Sequence, residues 1–314
     1  MKGPASKASE RRPCFIRRRT CIRLECRYWA CGGTGIRVRF RIVFRKDWEF
    51  ESPHAHRYQI IMEQYSKVIF FDLYQTLLDV KIGSTDPSVK FAEELVGWEA
   101  FAEQLKKFEI TIDAGELLGL YRKRRDNFYS ANRDEKIHHH NMQEIIAEVL
   151  EKDLNIQRSQ EELVNLIYIY RKASRGWLRL YPGVFETLSA LSKEYALSTA
   201  SHTQSSFTQL ELRELNIEKF FSYFVYSSDL GFRKESTNFY KCALKAVGKK
   251  AEDCVMVGDN YDVDVVVPGK LGIRGIWIKN PLTSGRYVME QEPPNTLPLE
   301  SLAKLPERIR NLWA

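Results

Sequence analysis

Apolar residues are distributed along this chain in two distinct ways. In some places they form short unbroken runs that end in polar residues; in others they recur at helical spacing. Val68-Ile69-Phe70-Phe71 is a run of the first kind, followed at once by Asp72 and four positions later by Thr76. Bulky β-formers with no polar alternation predict a strand covered on both faces, as in a parallel sheet. The pattern returns in Tyr195-Ala196-Leu197-Ser198-Thr199-Ala200-Ser201. It returns again in Tyr223-Phe224-Val225-Tyr226, followed by Asp229 and Gly231-Phe232-Arg233-Lys234, and in Cys254-Val255-Met256-Val257, which leads into Gly258-Asp259-Asn260 and Asp264. Between these runs lie helical stripes such as Phe239, Cys242, Ala243, Ala246 and Val247. Strands alternating with helices predict an α/β fold, a doubly wound parallel sheet.

From about residue 81 to residue 180 the strand-like runs stop and only helical stripes remain: Phe91, Leu95, Trp98, Phe101 and Leu105; Met142, Ile145, Ile146, Val149 and Leu150; Leu163, Leu166, Ile167 and Tyr170. The expected organisation is therefore a core of residues 62–80 plus 181–314, interrupted by a helical insertion at 81–180. His138-His139-His140 lies inside this insertion. Adjacent residues on a helix point about 100° apart, so the three cannot share one metal from a helix. A solvent-exposed polar turn is the expectation there.

In an open parallel sheet the functional crevice lies beyond the carboxyl ends of the strands. Asp72 falls at such an end and, ionised at neutral pH, can attack as a nucleophile without a base. Thr199 can donate to a substrate oxygen, Lys234 can neutralise charge on nucleophile and transferred group, and Asp259 and Asp264 with Asp72 can hold a hard cation such as Mg²⁺.

These residues, in this order, resemble the haloacid dehalogenase-like (HAD) hydrolase superfamily. Asp72 and Thr76 match its Asp-x-x-x-Thr motif, Thr199 its second motif, Lys234 its third, and Gly258, Asp259 and Asp264 its Gly-Asp-x-x-x-x-Asp motif. The resemblance implies a Rossmann-like core with a type-1 helical cap and hydrolysis through an aspartyl intermediate on Asp72. It makes Thr76, Thr199 and Lys234 catalytic and implies Mg²⁺ held by Asp72, Asp259, Asp264 and the backbone carbonyl of Tyr74. Tyr74, Ala200 and Arg122 are expected to meet a small-molecule substrate.

Four departures from the family pattern matter. Most phosphatases of the family carry a second Asp where this chain has Tyr74, and a phenol is a poor general base at neutral pH. The Asp-x-Tyr form is similar to the 2-haloacid dehalogenase branch, and Arg122 resembles that branch's cap arginine. The acidic metal loop, which dehalogenases lack, is nonetheless kept. Gln75 stands where Gly usually lets the chain turn sharply, and Val267-Pro268 replaces the usual small residues. Three expectations follow: a Mg²⁺-dependent phosphatase-type hydrolase of a small phosphorylated metabolite, a 2-haloacid dehalogenase-type enzyme, and a catalytically weak binding protein. Asp79, Asp262 or a residue of the insertion are candidates for the missing acid/base.

Charge adds a separate point. The 314 residues carry 48 Lys+Arg and 41 Asp+Glu, a net charge of +7. Residues 1–61 hold 15 basic and 5 acidic residues, leaving 33 basic and 36 acidic in 62–314. The basicity is thus confined to the N-terminus, which also holds Cys14, Cys21, Cys26 and Cys31, at no usual zinc spacing. A transit peptide, a nucleic-acid-binding arm and upstream sequence translated ahead of a start at Met62 are the readings of this extension. The last is the expectation, with residues 1–61 disordered or non-native and nucleic acid not expected as a partner. No run of about 18 apolar residues predicts a membrane helix, and the cysteines form no evident disulfide framework, which fits a reducing cytoplasm.

Overall fold

The computed structural model describes residues 65–83, 93–131, 134–287 and 289–313, with backbone alone at 21–28, 38–45 and 93–94. The chain divides into two units, Met1–Gln59 and Ile60–Ala314. In the first, strands β1 (Cys21–Tyr28) and β2 (Val38–Arg45) pair antiparallel.

The second unit is built on a six-stranded parallel sheet. In chain order its strands are β3 (Val68–Phe71), β6 (Ala196–Ser201), β7 (Tyr223–Tyr226), β8 (Cys254–Gly258), β9 (Arg274–Lys279) and β10 (Thr296–Pro298). Across the sheet they run β10-β9-β8-β3-β6-β7. β3 lies at the centre, and every residue of β3, β6 and β8 is buried, as expected for strands covered on both faces. Ile69, Phe71, Val255, Val257, Leu197 and Ile276 join one apolar core with the flanking helices. The α/β architecture read from the alternating runs is the one observed.

Between β3 and β6 the chain leaves the sheet. Strands β4 (Leu78–Ile82) and β5 (Arg175–Leu180) form an antiparallel ribbon. Between them, among the described residues, stand four α-helices: α1 (Glu93–Leu105), α2 (Ala114–Ser130), α3 (Met142–Glu148) and α4 (Gln160–Ala173). Local chemistry fixes their starts. The Asp113 and Asn141 side chains accept from the first-turn amides of α2 and α3, and Ser159 with Glu162 forms a capping box on α4. Their apolar faces meet around Trp98, whose ring lies 5.0 Å from Tyr121 and 4.9 Å from Tyr170. Gly97 permits that approach, because a Cβ there would fall 2.6 Å from the Tyr170 ring. Helices α5 (Val184–Leu191), α6 (Ser205–Glu214), α7 (Thr237–Val247) and α8 (Leu305–Trp313) complete the sheet's cover. Among the described residues, no helix is long and apolar enough to cross a membrane.

Candidate active site

Register decides which residues meet. Phe71 of β3 is level with Thr199 of β6 on one side and Val257 of β8 on the other. Asp72 is the next residue, and its amide donates to the Val257 carbonyl at 2.9 Å, extending the ladder one step beyond the strand. The chain then turns within a few residues. Gln75 takes φ +64, a left-handed conformation where the family usually has Gly, so the strain expected from the sequence is present. Three hydrogen bonds hold it: its amide to Leu78 O (2.9 Å), its carbonyl from Asn280 Nδ2 (2.7 Å), and its side-chain oxygen from Tyr181 Oη (2.8 Å).

The turn brings Thr76 back beneath Asp72. Its hydroxyl donates to Asp259 Oδ1 at 3.1 Å, lies 3.4 Å from Asp72 Oδ2, and accepts from the Asp259 amide at 3.0 Å. Lys234, 2 % exposed, reaches Asp72 Oδ1 at 2.9 Å and also pairs with Asp264. Asp264 Oδ2 accepts from the Asn260 amide at 3.0 Å. A Cβ on Gly258 would run into the Asp264 carboxylate, so this close approach requires glycine. One oxygen from each of Asp72, Asp259 and Asp264 lies within 4.8 Å of the others, and all three residues are buried.

This cluster is charged in excess: three carboxylates share one ammonium. Burial, and then the Asp72 charge, raises the Asp259 carboxyl to about 6. Burial raises Asp264 to about 7, with Asp72 adding to the rise and Lys234 opposing it. Burial alone would lower Lys234, but the Asp264 and Asp72 charges overcome it and hold the amine protonated. Buried carboxylates without matching cations are costly, and a hard divalent cation taking oxygen ligands relieves that cost. The donor set therefore fits the Mg²⁺ expected from the resemblance.

Asp72, Thr76, Lys234, Asp259 and Asp264 are thus brought together. Other expected site residues lie apart from them. The Thr199 hydroxyl accepts from the Val225 amide at 2.9 Å, inside the sheet. Ala200 is fully buried in β6, and Arg122 is exposed on α2. The strand carrying Thr199 runs two residues further, so Ser201 and His202 stand at its end. Their signal was available in the rule that parallel strands present function at their carboxyl ends.

Tyr74 turns away from the carboxylates into a second polar cluster that sequence reasoning missed. Its phenol donates to Glu211 Oε2 at 2.5 Å and sits 3.1 Å from Thr208 Oγ1. Glu211, fully buried on α6, also accepts from Arg171 Nε of α4 at 2.7 Å and Arg175 Nη1 of β5 at 3.1 Å. The Arg171 guanidinium lies over the Tyr74 and Phe207 rings. Burial and the Glu211 charge push the Tyr74 phenol above its ordinary value.

The histidine triplet departs from the expected exposed turn. His139 is buried, its Nδ1 2.6 Å from Ser227 Oγ and its Nε2 3.1 Å from Gln204 Nε2. His140 is held between the Tyr121 and Tyr129 hydroxyls, each 2.8 Å from a ring nitrogen. Burial lowers both imidazoles, His140 to about 4, so they pack as neutral rings. Partners from across the chain override the polar look of the triplet.

A buried aspartate, a lysine and an acidic pair thus gather beyond the carboxyl ends of a parallel α/β sheet. The chain belongs to the haloacid dehalogenase-like hydrolase family, whose model matches residues 66–267; a second, HAD-hydrolase-like model matches residues 231–305. Glyceraldehyde 3-phosphate phosphatase of Pyrococcus furiosus is 27 % identical over 218 residues, 68 % of this chain and 80 % of the relative. The enzyme of the same name from Methanocaldococcus jannaschii is 32 % identical over 149 residues, covering 46 % of this chain and 63 % of that protein. The crystal structure of a 2-haloacid dehalogenase from Pseudomonas syringae pv. Tomato DC3000 shares the fold, with a TM-score of 0.52 at 21 % identity, covering 79 % of this chain and 99 % of that one. The protein is therefore a hydrolase of the HAD-like family.

Proposed function

We propose that this protein is a phosphatase-type hydrolase of a small phosphorylated metabolite, acting through an aspartyl-phosphate on Asp72. The observation that carries this reading is the buried carboxylate cluster with a single lysine, which calls for a divalent cation. Asp72, Asp259, Asp264 and the Tyr74 carbonyl are the ligands assigned to Mg²⁺. When bound, the cation supplies Lewis-acid stabilisation of a phosphoryl oxygen. Asp72 Oδ is the attacking atom, oriented by Lys234 and the Thr76 hydroxyl, both of which hold its carboxylate in place. The Lys234 ammonium also offsets charge on the transferred group in a site shielded from water. Ser201, at the end of β6, is the hydroxyl assigned to the substrate oxygen in place of Thr199.

The insertion formed by α1–α4 is assigned as a cap that sets substrate choice, with residues 62–80 and 181–314 as catalytic core and residues 1–61 dispensable for activity. Among the described residues, Cys242 and Cys254 form no disulfide, in keeping with a cytoplasmic location. The names of the relatives make glyceraldehyde 3-phosphate the first substrate to try.

The test is phosphate release from a panel of phosphate esters, with and without Mg²⁺, run beside halide release from 2-chloropropionate. Mg²⁺-dependent phosphate release that disappears in Asp72→Asn is expected. Halide release that persists in EDTA would overturn the reading in favour of dehalogenase chemistry, as the Asp-x-Tyr motif allows.

A further inference from the structure

Transfer of a phosphoryl group through Asp72 needs a group that moves protons. The leaving alkoxide must gain one, and the water that cleaves the aspartyl-phosphate must lose one. Tyr74, which stands where the family's second Asp would be, is committed to Glu211 and Thr208. Of the other candidates, Asp79 is held by Trp177 Nε1 at 3.0 Å and Arg179 Nε at 2.6 Å on the β4–β5 ribbon. Asp262 is exposed on the turn after β8.

We infer that His202, the first residue beyond β6, is the catalytic acid/base of this site, an assignment that rests on the phosphatase reading above. β6 lies directly beside β3, with Thr199 level with Phe71, so the residues past its end leave the sheet on the same edge as Asp72, close enough for the Asp72 charge to act on the His202 ring. The loop carrying His202 is fixed on its far side. The Thr203 amide donates to Ser227 Oγ at 2.9 Å, and Gln204 bridges the His140 carbonyl (2.9 Å) and the Met142 amide (2.7 Å). The His202 ring packs edge-on against His139, with centroids 4.5 Å apart.

Three imidazoles meet here, and they differ in one respect. Both nitrogens of His139 and both of His140 have partners. Among the described residues, neither nitrogen of His202 has one, and its side chain keeps partial exposure. The charged groups that act on it are Arg233, Glu235, Lys234 and Asp72, beside the neutral ring of His139. Burial, then Arg233, holds the imidazole below its ordinary value, so it stands neutral and ready to accept a proton.

The proton balance closes over one turnover. The neutral His202 imidazole takes the proton of a monoprotonated phosphate ester and returns it to the alcohol oxygen as attack of Asp72 Oδ on phosphorus breaks the P–O bond to that alcohol. Water then attacks the aspartyl-phosphate, its proton passes to His202, and the P–O bond to Asp72 breaks. His202 passes that proton to the departing phosphate, so the Asp72 carboxylate and the neutral imidazole are both restored.

The test uses the full chain with Mg²⁺ and para-nitrophenyl phosphate, whose leaving group needs no proton. His202→Asn and His202→Ala are expected to lower steady-state turnover about 10²-fold, the scale of a lost general base. They should still release a burst of nitrophenolate while phosphorylated Asp72 accumulates. Added imidazole should restore turnover in His202→Ala, which a structural role for His202 would not produce. Unchanged melting temperatures confirm that both variants fold. Turnover within about threefold of wild type, well short of a general-base loss, would overturn the assignment. So would a loss with neither burst nor rescue. Absence of phosphate release by the wild-type protein is a separate outcome that overturns the phosphatase reading and this assignment together.

Discussion

Two buried polar clusters flank the loop that follows β3, and their charge balance is opposite. On one side Asp72, Asp259 and Asp264 surround Lys234, leaving negative charge in excess. On the other, buried Glu211 is met by Arg171 and Arg175 and accepts from Tyr74, while Glu214, exposed at the rim, is met by Arg175 and Tyr168. The second cluster is complete: every charge has its counterpart inside the protein. The first keeps an excess of negative charge, which a divalent cation would offset. Burial of charge alone does not identify a working site; uncompensated burial does. The balanced cluster instead ties the insertion to the core, because Arg171 and Arg175 come from α4 and β5 while Glu211 comes from α6.

Asp72→Asn breaks the comparison most sharply. Turnover should fall about 10³-fold or more, as for loss of a covalent nucleophile. Stability measured without metal should be unchanged or higher, because one of the unmatched charges is gone. A large loss of stability in a denaturant titration would show that the acidic cluster holds the fold together and would erase the contrast with the Glu211 cluster.

Glu211→Ala is the mirror experiment. It leaves Arg171 buried without its carboxylate, and the expected loss is about 3–5 kcal/mol in chemical denaturation, typical of breaking a buried pair from one side. Tyr74 loses its acceptor at the same time, which adds to the cost. A variant of unchanged stability would mean that the two arginines find other partners and that the insertion is attached by apolar contact alone.

How much of this was legible in the sequence depended on distance along the chain. Asp72, Lys234, Asp259 and Asp264 were legible because each follows an apolar strand run, and in a parallel sheet all such ends converge. The boundary of β6 was less so, since Leu197-Ser198-Thr199-Ala200-Ser201 mixes small and hydroxyl residues with no sharp end; the polar end was placed at Thr199, two residues short of Ser201. The balanced cluster was illegible. Glu211 sits in a helix among other polar residues and reads as a surface charge, and its phenol partner Tyr74 lies 137 residues away. His139 is similar, with Ser227 88 residues distant. Pairings at such range come from the topology of the sheet, not from local pattern.

Proton linkage gives a smaller effect with a definite sign. The carboxyl groups of Asp259 and Asp264 are raised in the folded state, so the folded protein binds protons there more tightly than the unfolded chain. That contribution is fully present below the unfolded carboxylate range and is lost as pH rises through the raised values, about 6 and about 7. Metal-free protein should therefore lose stability relative to Asp264→Asn between about pH 5 and pH 8. Mg²⁺ competes with those protons, so its stabilisation should grow over the same range. Thermal melts of both proteins at several pH values, with Mg²⁺ and with EDTA, check both trends. A Mg²⁺ effect that is flat with pH would mean that the cation binds elsewhere.

The smallest expected effect falls on the hinge between the two clusters. Gln75 holds φ +64, which costs a side-chain-bearing residue about 1–2 kcal/mol. Glycine would remove that strain, but it frees the unfolded chain and deletes the hydrogen bond from Tyr181, each worth about 1 kcal/mol. Tyr181 Oη still accepts from Asn280 Nδ2 at 3.1 Å, and its freed O–H, on a half-buried side chain, can turn to water. The gains and losses nearly cancel, and Gln75→Gly should melt within a few degrees of wild type. Its effect on turnover is then the informative reading. Gln75 precedes Thr76, which carries hydrogen bonds to both Asp259 and Asp72. If the three bonds on Gln75 hold the nucleophile loop in register, the glycine variant should lose turnover by more than its melting temperature implies, with little change in KM. If turnover tracks stability, the loop is positioned by Thr76 and Asp259 alone, and Gln75 is a tolerated substitution for glycine.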